Sequence, residues 1–123
     1  MVSRFRADPH TRDDLGVIAL SGDIDSGADE ALTAAYDALA GTGHATVLLN
    51  FEDVRYINST GIALIVGLLA RARKDGGGIL CCGLSDHYLE IFEITRLVDF
   101  MQMVPNEDAA VAGRVTADER RQQ

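Results

Sequence analysis

The stretch Val47-Leu48-Leu49-Asn50-Phe51-Glu52-Asp53-Val54-Arg55-Tyr56-Ile57-Asn58-Ser59-Thr60-Gly61-Ile62 decides the fold. Thr46 to Phe51 is a short, nearly continuous apolar run, the pattern of a strand buried on both faces. Glu52 to Ile57 reads as a short connector. Asn58-Ser59-Thr60-Gly61 is rich in helix-capping residues and leads into a helix from Ile62 through Lys74. The first half of that helix is apolar almost all round, so it must be covered on more than one side. Buried strand, connector and buried helix make half of a β-α-β crossover, which implies a parallel sheet.

Working outward, the same alternation recurs. Residues 3–8 alternate loosely and suit an edge strand, with a turn from Pro9 to Asp14. Leu15 to Ser21 reads as a second strand, and Gly22-Asp23-Ile24-Asp25-Ser26-Gly27 as a turn. Residues 28–40 carry apolar side chains at 28, 31, 32, 35, 36 and 39, the period of a helix, which Gly41 and Gly43 stop. Asp75-Gly76-Gly77-Gly78 ends the helix that follows the decisive stretch. Ile79 to Gly83 predicts a short strand, Ser85 to Thr95 an amphipathic helix with Leu89, Phe92 and Tyr88 inward, and Phe100 to Val104 a last strand. A short helix is expected from Pro105 through Ala112, and a flexible polar tail over 113–123. The order is β-β-α-β-α-β-α-β-α. It predicts an α/β domain with a small, mixed, mostly parallel sheet of four to five strands, covered by about four helices.

Length and charge bound the function. The chain has 123 residues, enough for one domain. Its 19 acidic against 11 basic residues give a net charge of −8, which speaks against nucleic acid and anionic membrane surfaces as partners. The N-terminal residues lack the apolar core of a secretory signal, and no apolar run is long enough to insert in a membrane. The expected compartment is the cytoplasm. Cys81 and Cys82 are adjacent strand residues, not a disulfide framework or a redox pair. His10, His44 and His87 are scattered without metal-ligand spacing, so neither metal nor other cofactor is expected.

Several chemistries fail on motif grounds. The only lysine, Lys74, stands at a helix end and not on the late strand that a phosphoacceptor receiver needs. There is no G-x-x-x-x-G-K-[ST], and Gly76-Gly77-Gly78 lies between a helix and a strand, the wrong order for a dinucleotide loop. Ser59 begins a helix but not within G-x-S-x-G. An enzyme is therefore not expected.

With its flanks, the decisive stretch resembles the STAS family, found in sulfate transporters and in bacterial anti-sigma factor antagonists. Asn58-Ser59-Thr60-Gly61-Ile62 is similar to the family's Asp-Ser-[Ser/Thr]-Gly-[Leu/Ile]. Gly22-Asp23-Ile24-Asp25 resembles the Gly-x-[Leu/Ile]-Asp after the second strand. Leu89 to Leu97 resembles the late helix and its exit, although many members have Gly where Arg96 stands, and Pro105 to Val111 resembles the final segment. The likeness spans residues 3–112 in the family's order, giving a STAS domain over 1–112.

The resemblance implies a fold and a function. Antagonists of this type bind an anti-sigma factor of histidine-kinase-like ATPase fold in partner switching. That protein phosphorylates them, and a serine phosphatase restores them. By position, the phosphorylated residue is Ser59, with Thr60 as second candidate. The partner-binding surface includes Asp25, Asn58, Ser59, Thr60, Gly61 and Ile62. Asn58 stands where the family has Asp, which removes a charge but keeps a good helix cap. Two alternatives stay open. Asn58-Ser59-Thr60-Gly61 can be a plain cap, and the protein can be a non-phosphorylated scaffold or a docked subunit of a transport or stress-signalling complex. Homodimerisation through an apolar edge strand is left open by the sequence.

Overall fold

The computed structural model describes residues 5–43 and 46–113. The polar tail expected over 113–123 lies, apart from Gly113, outside the described residues. Five strands form one sheet, β1 (Arg6–Arg12), β2 (Leu15–Ile24), β3 (Val47–Ile57), β4 (Ile79–Cys82) and β5 (Gln102–Met103), in spatial order 1-2-3-4-5. β1 is antiparallel to β2, and all later pairs are parallel. The helices are α1 (Asp29–Ala40), α2 (Ser59–Lys74), α3 (Asp86–Ile94) and a final segment, α4, over 107–113. The expected element order and mixed sheet are therefore present.

Because β2 to β5 follow one another across the sheet, right-handed crossovers put α1, α2 and α3 on the same face. The larger core lies there, with Ile18, Leu49, Phe51 and Cys81 of the sheet packed against Tyr36, Ile65, Leu68 and Phe92 of the helices. Phe51 and Phe92 meet edge to face, their ring centroids 6.0 Å apart. α1 is tied to the last turns of α2. The Tyr36 hydroxyl donates to Asp75 Oδ2 at 2.9 Å, and Arg71 lies 4.6 Å over the Tyr36 ring while pairing with Asp37. Burial, and then the Asp75 carboxylate, push the Tyr36 phenol up to about 12. On the other face a smaller core gathers Leu15, Val17, Leu48, Leu80 and Cys82 beneath Ala110 of α4.

Five elements differ in their bounds from the sequence reading. β1 runs through Pro9 to Arg12, and the turn shrinks to Asp13 and Asp14 between the paired Arg12 and Leu15. An edge strand tolerates a proline because half of its N–H groups face away from the sheet. Asp13 supplies the left-handed backbone of the turn (φ 55°). β2 continues past Ser21 to Ile24, and the expected connector Glu52–Ile57 is the second half of β3. Gly22 to Ile24 pair with Val54 to Ile57 beyond the end of β4. α2 begins at Ser59, not Ile62. β5 starts only at Gln102, because Leu97–Phe100 is a 3₁₀ turn that leaves Phe100 exposed. Arg96 precedes that turn in the left-handed region (φ 64°), which explains why glycine suits this position in the resembling family.

Candidate functional site

The six expected site residues lie where the long ends of β2 and β3 meet α2, beyond the C-terminal ends of the parallel strands. Ligand and partner sites of open parallel sheets favour this end. Asn58 is extended (φ −93°, ψ −179°) and is the N-cap of α2: its Oδ1 accepts the Gly61 N–H at 2.8 Å. Its own N–H donates to the Ile24 carbonyl at 3.2 Å, and its carbonyl accepts from Ile62 N at 2.9 Å. The helix start is thus joined to β2 through the backbone. Just upstream, the Ile57 N–H donates to the buried Tyr88 hydroxyl of α3 at 2.9 Å.

Gly61 makes the junction sterically possible. A Cβ there would stand 2.0 Å from the Ile24 carbonyl oxygen and 2.7 Å from its carbon, both backbone atoms. Only glycine lets α2 approach β2 so closely. On the β2 side, Asp25 Oδ1 accepts the Gly27 N–H at 2.9 Å, and the Asp25 carbonyl accepts from Ala28 N at 3.0 Å. Asp25 therefore caps the 3₁₀ turn Ser26–Ala28 that opens α1.

On this platform Ser59 and Thr60 are the first two helical residues, and both are exposed. Gly61 is buried, and Asn58 and Ile62 are half-buried. The Asn58 side chain takes only the Gly61 N–H, so the Ser59 and Thr60 N–H groups stay at the open end of the helix with its positive dipole. Among the described residues, no histidine is bonded to either hydroxyl. His10 is bonded to Glu107, and His87 stacks edge-on against Tyr88 with centroids 4.9 Å apart. The open N–H groups and the dipole at such a helix start tolerate negative charge beside an exposed hydroxyl.

The surface around the hydroxyls extends beyond the six residues. Tyr56 is 52% exposed and Val66 44%. With Ala63, Gly67 and Ala70, also exposed, Val66 gives α2 a smooth, weakly apolar outer stripe. A groove of about 160 Å³ separates it from α1, lined by Leu32, Ala63, Leu64, Gly67 and Arg71. The helical spacing 59, 63, 66, 67, 70 already carries this stripe in the sequence, but the all-round apolar character of the segment hides which side is bare. A larger cleft, about 700 Å³, lies at the opposite end of the sheet between α4, the end of α2 and Phe100, and includes none of the six residues.

Known proteins share both the sequence pattern and the fold. The family described as "Mlab, STAS domain" matches residues 8–105. The anti-sigma-B factor antagonist of Staphylococcus aureus is 29% identical over 93 residues, covering 76% of this chain and 86% of that protein. The Bacillus cell fate determinant SpoIIAA, in its phosphorylated form, has a TM-score of 0.67 at 24% identity and covers 91% of this chain and 99% of its own. An anti-sigma factor antagonist from Mycobacterium paratuberculosis has a TM-score of 0.69 at 19% identity, covering 89% of this chain and 93% of its own. The two structures share the fold. Among the described residues, no helix is long and apolar enough to cross a membrane.

Proposed function

The chain belongs to the STAS domain family, and we propose that it is a cytoplasmic anti-sigma factor antagonist, a binding module and not an enzyme, switched by phosphorylation at Ser59. Its partner is an anti-sigma factor of histidine-kinase-like ATPase fold that also acts as the kinase, and a serine phosphatase reverses the mark. The relatives named as antagonists support the role. The observation that carries the switch is the exposure of Ser59 and Thr60 on a helix start whose backbone is fixed from both sides. The partner covers Asp25 and Asn58 to Ile62 and continues along Val66 and the small residues of α2.

Magnitudes favour a change of affinity over a change of fold. Phosphorylation adds about −1.5 to −2 charges. At the exposed end of α2 the helix dipole offsets this by about 0.3–1 kcal/mol, too little to remodel a capped helix. Burying the same charge against a partner without a matching cation costs about 3–5 kcal/mol. That corresponds to a loss of affinity of about 100-fold or more. The interface effect wins.

Asn58 favours a second reading, in which the protein is a constitutive scaffold or docked subunit. It caps α2 without the charge that the resembling antagonists carry next to the phosphorylated serine. Capture from a native lysate with wild-type, Ser59→Ala and Ser59→Glu baits, read by mass spectrometry, separates the two. The antagonist reading expects a histidine-kinase-like ATPase on the first two baits and its loss on the third, with phosphate at Ser59. Equal capture of the same transport or scaffold subunits by all three baits would establish the second reading.

A further inference from the structure

Away from the proposed partner surface, the second face of the sheet is covered among the described residues by α4 as its only helix. We propose that α4 is a detachable strap, which opens and recloses over this face while the rest of the domain stays folded, and that a clasp centred on Glu107 sets how often it opens.

The geometry divides α4 into a weak apolar contact and a polar fastening. Along its described residues, 107–113, α4 buries little apolar surface. Its one fully buried side chain is an alanine, Ala110, with Val111 and the preceding Val104 only partly covered. The fastening lies at its first turn. Glu107 Oε1 accepts from Arg12 Nη1 at 3.2 Å and faces His10 Nε2 at 3.4 Å, and its Oε2 accepts from Asn50 Nδ2 at 3.3 Å. Arg12 also pairs with Asp108 at 2.8 Å. The clasp joins β1 and β3 to α4 across 57 to 97 residues of chain, so it is absent once α4 lifts. Opening would uncover Leu15, Val17, Leu48, Leu80 and Cys82, an apolar strip on the side opposite α1 to α3.

β4 provides its own readout. Cys81 and Cys82 are adjacent and both buried, but they point to opposite faces. Cys81 lies under the three-helix layer and Cys82 under α4. Cys82 therefore reports the strap, and Cys81 reports unfolding of the main core. A local opening exposes the first without the second.

The test is thiol labelling of the full chain under native conditions with an aromatic disulfide probe. A cysteine thiolate attacks the probe, a mixed disulfide forms, one aromatic thiolate leaves, and the thiol proton passes to buffer. The Cys81→Ala variant reports Cys82, and Cys82→Ala reports Cys81. The strap predicts that Cys82 reacts at least about tenfold faster than Cys81, since local opening needs less free energy than global unfolding. Glu107→Gln should speed Cys82 by about two- to five-fold, the scale of a partly solvated charge contact. Ala110→Asp, which places a carboxylate under the helix, should speed it by about tenfold or more. Cys81 should change little in either variant. Equal rates for the two thiols, or variants that speed both alike or neither, would overturn the proposal.

Discussion

Two helices in this protein start at an asparagine, and they are held in opposite ways. Asn58 caps α2 by accepting from Gly61 N at 2.8 Å, and Asn106 caps α4 by accepting from Ala109 N at 2.8 Å. Beyond the cap the likeness ends. The start of α2 is fixed by the main chain, through the Ile24 carbonyl and the close approach of Gly61, and among the described residues no ionised side chain bonds to it. The start of α4 is fixed by side chains, with Glu107 among His10, Arg12 and Asn50. A backbone junction is rigid and indifferent to pH, which suits the proposed switch, in which Ser59 is presented in one geometry with and without a phosphate. A side-chain clasp has a strength that charge can alter.

The largest effect should come from breaking the backbone junction. Gly61→Ala forces a Cβ into the Ile24 carbonyl, and neither backbone can yield without losing its own hydrogen bonds. We expect a loss of about 3 kcal/mol or more, seen as a fall in Tm on the order of 10 °C or as failure to fold. A well-folded, equally stable Gly61→Ala protein would mean that α2 is not locked to β2. Asn58→Ala should cost about 1 kcal/mol in chemical denaturation, since it removes one cap bond and leaves the close approach in place. Asn58→Asp should gain about 0.3–1 kcal/mol at neutral pH through the helix dipole, and lose that gain in acid.

The clasp should differ in its response to pH. Burial raises the Glu107 pKa, but hydrogen bonds from His10, Arg12 and Asn50 outweigh it and hold the carboxyl below its usual range. A carboxyl depressed in the folded state adds stability above its unfolded value, and that stability is lost as pH falls through the lower, folded value. It faces His10 and Arg12 on β1 and Asn50 on β3, while Asp108 on α4 shares Arg12, and Cys82 on β4 feels the charges of both Glu107 and Glu52. Burial, with the charges of Glu107 and Glu52, pushes the Cys82 thiol up to about 11, so it stays neutral through this range. Glu107→Gln should therefore cost about 0.5–1 kcal/mol at pH 7 and progressively less as the pH is lowered below the usual carboxylate range, measured by denaturation across a pH series. A difference that persists in acid would assign Glu107 a packing role instead. The smallest effect is expected at the platform's exposed edge: Ser59→Ala should change stability by less than about 0.5 kcal/mol.

This contrast also explains what the sequence made legible. Apolar periodicity reports burial, so the buried parts of β2, β3 and β4 and the faces of α1 and α3 could be read directly. Glu52, Asp53, Arg55 and Tyr56 broke that pattern because the second half of β3 is bonded to β2 alone and is exposed on its surface. They form a strand through backbone pairing, which leaves no trace in hydropathy. Asn58 was legible as a capping residue because capping is local, with the cap and its N–H three residues apart, although the helix was expected only from Ile62 and starts at Ser59. Tyr88 could be read as inward-facing, but its bond to Ile57 N spans 31 residues and follows only from the packing of α3. The clasp was not legible for the same reason: His10 and Glu107 are 97 residues apart, and each alone looks like a solvated surface charge.

The central claim is that Ser59 is a switch of affinity on a platform that does not move. Its most direct test is calorimetric titration of the captured ATPase partner with unphosphorylated and Ser59-phosphorylated protein, alongside amide exchange of both forms. The account predicts a loss of affinity of about 100-fold or more on phosphorylation, with unchanged protection through the start of α2. Equal affinity of the two forms, or lower affinity accompanied by loss of protection from Asn58 to Ile65, would contradict it.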